Sequence, residues 1–182
     1  MGKPRQENDL LFVRQGTFVE EMIGWQDYND ASTAITPLTL TLADTWYPLP
    51  NDGAGPFSTE QYKVLGKPSI WDPDTDSFYF KDLFIGGIQI LRTSFSVECP
   101  SANTEISVRL SMAQGSGIDY SIPIYQRQLK RANFQYNVSI STFFTMDNQE
   151  TIDYPAQIEM SADVGGVDVT IAGWKILTVD RF

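Results

Sequence analysis

The carboxy-terminal stretch Gly165-Gly166-Val167-Asp168-Val169-Thr170-Ile171-Ala172-Gly173-Trp174-Lys175-Ile176-Leu177-Thr178-Val179-Asp180-Arg181-Phe182 decides the fold. Val167, Val169 and Ile171 alternate with Asp168, Thr170 and Ala172, which is the period of a half-buried strand. At Gly173 the alternation slips by one residue, and Trp174 and Ile176 take over the apolar face. A glycine at such a change of phase predicts a β-bulge. Beyond it Leu177 and Val179 fall on the opposite face. A strand that is apolar on both sides needs cover on both. The chain's own core supplies one side, and a second subunit is expected to supply the other. A last strand with no tail is expected in the middle of a sheet, because free ends fray.

The residues before this stretch read as further strands. Leu38, Leu40 and Leu42 alternate with threonines. Pro50-Asn51-Asp52-Gly53-Ala54-Gly55-Pro56 is dense in turn formers. Tyr62, Val64 and Leu65 suggest a short strand. Ile70-Trp71 and Phe78-Tyr79-Phe80 flank a polar hairpin loop. Ile88 and Ile90 share one parity and Phe95 and Val97 the other, so a change of phase is expected near Arg92. Ile106, Val108, Leu110 and Met112 alternate cleanly, as do Phe134 through Phe144. Pro123 pushes the strand Ile118–Ile124 towards a sheet edge. No helix is expected after residue 30. About eight to ten short strands predict an all-β protein, an antiparallel jelly-roll β-sandwich over residues 31–182, with an immunoglobulin-like sandwich as the alternative.

Residues 1–30 read as an attachment arm, extended or short-helical. Leu11, Phe18 and Trp25 fall seven apart with Met22 between them, the spacing of a heptad seam. The same residues also suit short strands broken at Gly16 and Gly24. Residues 26–34 read as a loop.

Composition narrows the function. Hydrophobic residues at 42% are enough for a core, and no apolar run is long enough to span a membrane. Met1 to Arg14 lacks the apolar region of a signal peptide. The net charge of −10 argues against nucleic acid as a partner. The single cysteine, Cys99, cannot form an internal disulfide, and its flanks are not basic. The absence of histidine removes Ser-His-Asp and Cys-His catalysis and every histidine metal site.

Few constellations remain. Asp72, Asp74 and Asp76 resemble the start of a calcium loop, but Ser77 and Leu83 stand where an EF-hand needs glycine and glutamate. With Trp71 they form a candidate ligand loop; an exposed Trp71 would stack on a sugar ring, but an aromatic here is better expected to fill the sandwich or a subunit interface. A carboxylate pair hydrolyses glycosidic bonds without histidine, yet no pair is singled out among 23 Asp and Glu. Arg92, if buried, needs a carboxylate partner, and near a symmetry axis it would pair across subunits. Arg109 lies on the polar parity and is expected to point into solvent.

Several segments carry a resemblance. They are Trp25 through Ala34, Thr36-Pro37-Leu38, Trp46 through Leu49, Asn51 through Gly55, Trp71-Asp72 with Phe78 and Phe80, Asp82-Leu83 with Gly86-Gly87-Ile88 and Arg92, and Val169 with Gly173-Trp174-Lys175-Ile176. In this order, over residues 25–182, they resemble tailed-phage structural proteins with a tumour-necrosis-factor-like jelly roll, found as fibres, knobs or capsid decorations. Gly87 departs from the charged residue that phage relatives carry after the first glycine. The resemblance implies a homotrimer with the last strand near the threefold axis. It implies no enzyme and no cofactor. Phage capsid or tail proteins would be the partners, with a host-surface glycan as the alternative, and the virion, assembled in the host cytoplasm, the location. Trp174, Ile176, Leu177, Val179 and Arg92 are the expected core or subunit contacts. Leu11, Phe18, Met22 and Trp25 are the expected arm contacts.

Overall fold

Antiparallel pairing builds the whole of the described molecule, residues 23–180 of a computed structural model. In chain order the strands are β1 (Ile23–Asn29), β2 (Leu38–Leu40), β3 (Tyr47–Pro48), β4 (Trp71–Asp72), β5 (Ser77–Phe78), β6 (Ile88–Glu98), β7 (Thr104–Met112), β8 (Tyr120–Leu129), β9 (Gln135–Thr145), β10 (Gln157–Ala162) and β11 (Val167–Val179). One sheet runs β1-β11-β6-β9, with β2 also pairing to β11; the second runs β3-β10-β7-β8. β4 and β5 form a separate hairpin. From β6 onward the chain enters the second sheet for β7 and β8, returns for β9, crosses for β10 and returns for β11. That alternation is jelly-roll connectivity. β11 lies inside its sheet, between β1 and β6.

The core is the layer between the sheets. Trp174, Phe78, Phe80, Leu91, Ile106, Leu110 and Ile158 are fully buried in it. Aromatic rings form a chain through this layer. Trp71 meets Phe78 at 4.6 Å and Trp174 at 5.9 Å, edge-on. Phe80 stacks on Phe78 at 6.3 Å and meets Phe144 edge-on at 5.5 Å. Each such side chain is worth roughly 2–3 kcal/mol when fully buried. Cys99 is buried and free, and burial pushes its thiol pKa up, away from reactivity.

Several expectations need correction. Residues 23–29, read as part of the arm, form β1 and pair with β11 from Ile23↔Val179 to Asn29↔Gly173. The inward positions of β1 are Gly24, Gln26 and Tyr28, so its buried face carries no aliphatic signal. The rest of the arm, including Leu11, Phe18 and Met22, lies outside the described residues. Residues 62–65 are irregular rather than a strand, and are fastened to β1 by Trp25 N–H donating to Tyr62 O at 2.8 Å. A short helix, Gln149–Asp153, follows residue 30 after all, capped by Asn148 Oδ1 accepting from Thr151 N–H at 2.9 Å. So does the helical turn Ser32–Ile35. β6 has no change of phase. Its alternation is unbroken, with Gln89, Leu91, Thr93, Phe95 and Val97 inward. β8 is an edge strand, and its pairing with β7 slips between Val108 and Arg109, opposite Pro123.

Candidate functional site

The β-bulge in β11 lies between Ile171 and Gly173, where pairing to β6 skips Ala172. Before it, Val167, Val169 and Ile171 face the core; after it, Trp174, Ile176 and Thr178 do. Gly173 has φ +147, and a β-carbon there would lie 2.4 Å from Tyr28 O. Only glycine fits without displacing β1. Other groups hold the backbone that the bulge frees. Ile171 N–H donates to Thr33 Oγ1 at 2.7 Å, and Asp30 N–H donates to Ala172 O at 3.3 Å. Thr33 is held in turn by Asp30, whose carboxylate accepts from Thr33 N–H at 2.7 Å, Thr33 Oγ1 at 2.5 Å, Ser32 Oγ at 2.9 Å and Asp52 N–H at 3.0 Å. Burial alone would raise the Asp30 pKa; the hydrogen bonds from Thr33, Asp52 and Ser32 outweigh it and hold the carboxyl below its ordinary value.

The slip in phase turns Leu177 and Val179 outward, where they join apolar side chains of β1, β6 and β9. Trp25, Leu177, Ile90 and Phe143 lie abreast on the outer face, and Ile23, Val179, Ile88 and Thr145 form the next row. Ile23 is 46% exposed, Ile88 and Ile90 40% each, and Phe143 74%. Leu177 and Val179 are half-buried, neither lost in the core nor fully wet. At the same end of the sandwich Leu65, Phe84 and Ile85 are also exposed. Here Phe84 N–H donates to Asp180 Oδ1 at 2.8 Å and Gly24 abuts Val64. Gly87 is part of this end. A β-carbon on it would sit 3.0 Å from Phe84 O and 3.3 Å from Asp180 Oδ1, which leaves no comfortable room for the charged residue of the phage pattern. Inside, the same strands bury Gln26, Gln89, Thr93 and Thr178. Thr178 Oγ1 donates to Gln89 Oε1 at 2.7 Å. Polar groups inside and aliphatic ones outside invert the usual arrangement. A concentrated apolar patch of this kind marks an interaction surface. Ile88, Ile90 and Phe143 were not singled out from sequence, although the parity of Ile88 and Ile90 opposite to Phe95 and Val97 was the signal.

The next two rows are polar. Asp27, Lys175, Arg92 and Ser141 lie abreast, followed by Asn29, Gly173, Ser94 and Ser139. Of these, Asp27, Lys175, Arg92, Asn29, Gly173 and Ser94 line a groove of about 290 Å³ beside the bulge. Lys175 pairs with Asp27 at 3.5 Å and lies 4.1 Å from the Trp25 ring centroid. Arg92 is exposed rather than buried, and donates through Nε to Ser139 Oγ at 3.0 Å. Arg109 is the paired arginine, contrary to expectation. Its Nε meets Glu159 Oε2 at 2.7 Å, and its guanidinium lies 4.0 Å from the Trp46 ring centroid.

The loop at 71–76 is built differently from its sequence reading. Trp71 is 4% exposed, and its Nε1–H donates to Asn51 O at 2.8 Å. It is a core residue with too little exposed area to stack on a sugar ring. Asp72 accepts from Asp74 N–H and Thr75 Oγ1, both at 3.0 Å, which is turn chemistry. Asp74 is exposed, and Asp76 accepts from Asn51 N–H at 3.3 Å. Burial, then the nearby Asp30 and Asp72 charges, raise the Asp76 pKa against the lowering effect of that hydrogen bond. A second groove of about 250 Å³ lies beside the hairpin, lined by Tyr28, Asp52, Ser58, Glu60, Trp71 and Pro73. Burial pushes the Tyr28 hydroxyl pKa up, and the phenol donates to Glu60 Oε1 at 3.1 Å. Burial would raise Glu60 too, but hydrogen bonds from Ser69, Tyr28 and Lys63 outweigh it and leave this carboxyl lowered. A glycosidase general acid needs the opposite shift. Among the described residues no group of three or more His, Cys, Asp or Glu is placed to hold a metal ion, and no helix is long and apolar enough to cross a membrane.

No family model matches the chain, and no curated protein matches it in sequence. Solved structures do. The chain is similar to the tumour-necrosis-factor protein Eiger of S. frugiperda, with a TM-score of 0.50 and 7% identity, over 87% of this chain and 93% of that one. It is also similar to a chain of the infectious bursal disease virus particle, with a TM-score of 0.43 and 8% identity, over 87% of this chain and only 31% of that one. A xylan-binding module matches with a TM-score of 0.34 and 11% identity, over 87% and 93%. The last two likenesses are too weak to bear on role. The first, joined to the strand order, shows that the fold is an antiparallel jelly-roll β-sandwich.

Proposed function

We propose that this chain is a non-enzymatic structural protein of a bacteriophage particle, a capsid decoration or a fibre or knob, that works as a homotrimer. The observation that carries the reading is the outer face of the β1-β11-β6-β9 sheet, where Ile23, Ile88, Ile90, Phe143, Leu177 and Val179 lie together with exposed area. Burying such a face against copies of itself is the favoured way for a soluble chain to remove it from water. The threefold order comes from the resemblance to phage jelly-roll proteins, in which the last strand lies near the axis. Residues 1–22 would then reach the capsid or tail, and host assembly would take place in the cytoplasm. Multi-angle light scattering tests the first step. The expected mass is three times the 20.5 kDa chain; a monomer at micromolar concentration overturns the reading.

A further inference from the structure

We propose that the polar groove beside the β11 bulge is a binding site for a carboxylate-bearing sugar unit of a surface polysaccharide. The groove is made of chemistry suited to one negative charge among several hydroxyls. Arg92 is exposed and makes no ion pair among the described residues, in a chain whose net charge is −10. Its Nε is held by Ser139 Oγ at 3.0 Å, which anchors the guanidinium and leaves its terminal amino groups for a carboxylate. Lys175, itself exposed, stands beside Arg92 across the ladder and adds a second positive charge. Asp27, paired to Lys175 at 3.5 Å, keeps the site from being simply cationic. It disfavours a doubly charged anion and offers an acceptor for a hydroxyl.

The remaining walls suit the same ligand. Ser94 and Asn29 line the groove, and Asn29 Oδ1, buried beneath its wall, has no hydrogen-bond donor among the described residues. Gly173 and Ala172 contribute little side chain, so a ring reaches the sheet backbone. The volume, about 290 Å³, is at the small end of ligand cavities and suits a sugar unit better than a long segment of polymer. The site is complete within one chain and lies in the rows beyond the apolar ones, so it does not depend on the trimer.

The test is ligand-observed NMR on the full chain with three probes: glucuronate, galacturonate and N-acetylneuraminate oligosaccharides. The controls are the same oligosaccharides with the carboxyl reduced to an alcohol, and inorganic phosphate. At least one acidic sugar is expected to bind below ~1 mM, with the reduced form at least tenfold weaker. Arg92→Gln should weaken binding at least tenfold at unchanged melting temperature, and Ser94→Leu should block it. Leu177→Asp, which disrupts the apolar face, should leave binding intact, separating this site from the assembly reading. The proposal is overturned if no acidic sugar binds, if the reduced sugar or phosphate binds as well, or if Arg92→Gln binds like the parent.

Discussion

Thr33 Oγ1 accepts the backbone N–H of Ile171 at 2.7 Å, across 138 residues of sequence. That bond, with Asp30 behind it, satisfies the backbone at the point where β11 takes up its extra residue. The phase of everything from Gly173 to Asp180 follows from it.

Gly173→Ala is expected to destabilise the fold by about 3 kcal/mol, because a β-carbon would lie 2.4 Å from Tyr28 O at a φ of +147. Urea unfolding measures it. A loss below about 1 kcal/mol would mean that β1 yields easily and does not pin the bulge.

Asp30→Asn tests the support beneath the bulge, and its effect depends on pH. The folded-state pKa of Asp30 is depressed, so its contribution is fully present above the ordinary value of 3.8 and fades as pH falls through the lowered folded value. The variant should be less stable at neutral pH by about 2 kcal/mol, the scale of hydrogen bonds to a charged group. The gap between parent and variant should narrow in acid. A gap that stays constant from neutral pH to about pH 2 would remove the carboxylate's charge from the explanation.

Trp71→Phe should cost about 1–2 kcal/mol through the lost hydrogen bond to Asn51 O, and Trp71→Ala about 3–5 kcal/mol through the cavity. Thermal unfolding measures both. A melting temperature unchanged in Trp71→Ala would contradict its place in the aromatic chain of the core.

Leu177→Asp and Ile90→Asp sit opposite each other on the outer face. Neither is expected to unfold the chain, since Ile90 is 40% exposed and Leu177 half-buried. Each should lower the mass seen by light scattering to that of the single chain. Retention of the oligomer in both variants would place the subunit contact elsewhere.

The sequence was most legible where side-chain alternation met a glycine. β11 could be read almost residue by residue, because Val167, Val169 and Ile171 and then Trp174 and Ile176 mark two phases about Gly173. β1 was illegible because hydrogen bonds, not aliphatic burial, define its inner face. Gln26 Oε1, for example, accepts from Ile70 N–H at 3.1 Å. The outer row of Ile88 and Ile90 was mistaken for a core phase, since inward Gln89 and Thr93 look like solvent residues in a one-dimensional pattern. Trp71 takes the core place that its aromatic character favours over the ligand-loop reading, because the hairpin folds it beneath its aspartate neighbours. The groove was invisible in sequence. Asp27, Lys175 and Arg92 come from three strands, and only the pairing register sets them side by side.

Ala172 matters for what it adds to strand length rather than for its methyl group. Were the bulge ironed out and Ala172 paired opposite Ser94, every later residue would move on by one, Lys175 would be driven into the interior and Trp174 turned out to water. The surface character of an entire end of the domain is thus encoded by a count of residues. Whether that one residue is paired or left out of the ladder recasts how the molecule meets its neighbours, with every amino acid unchanged.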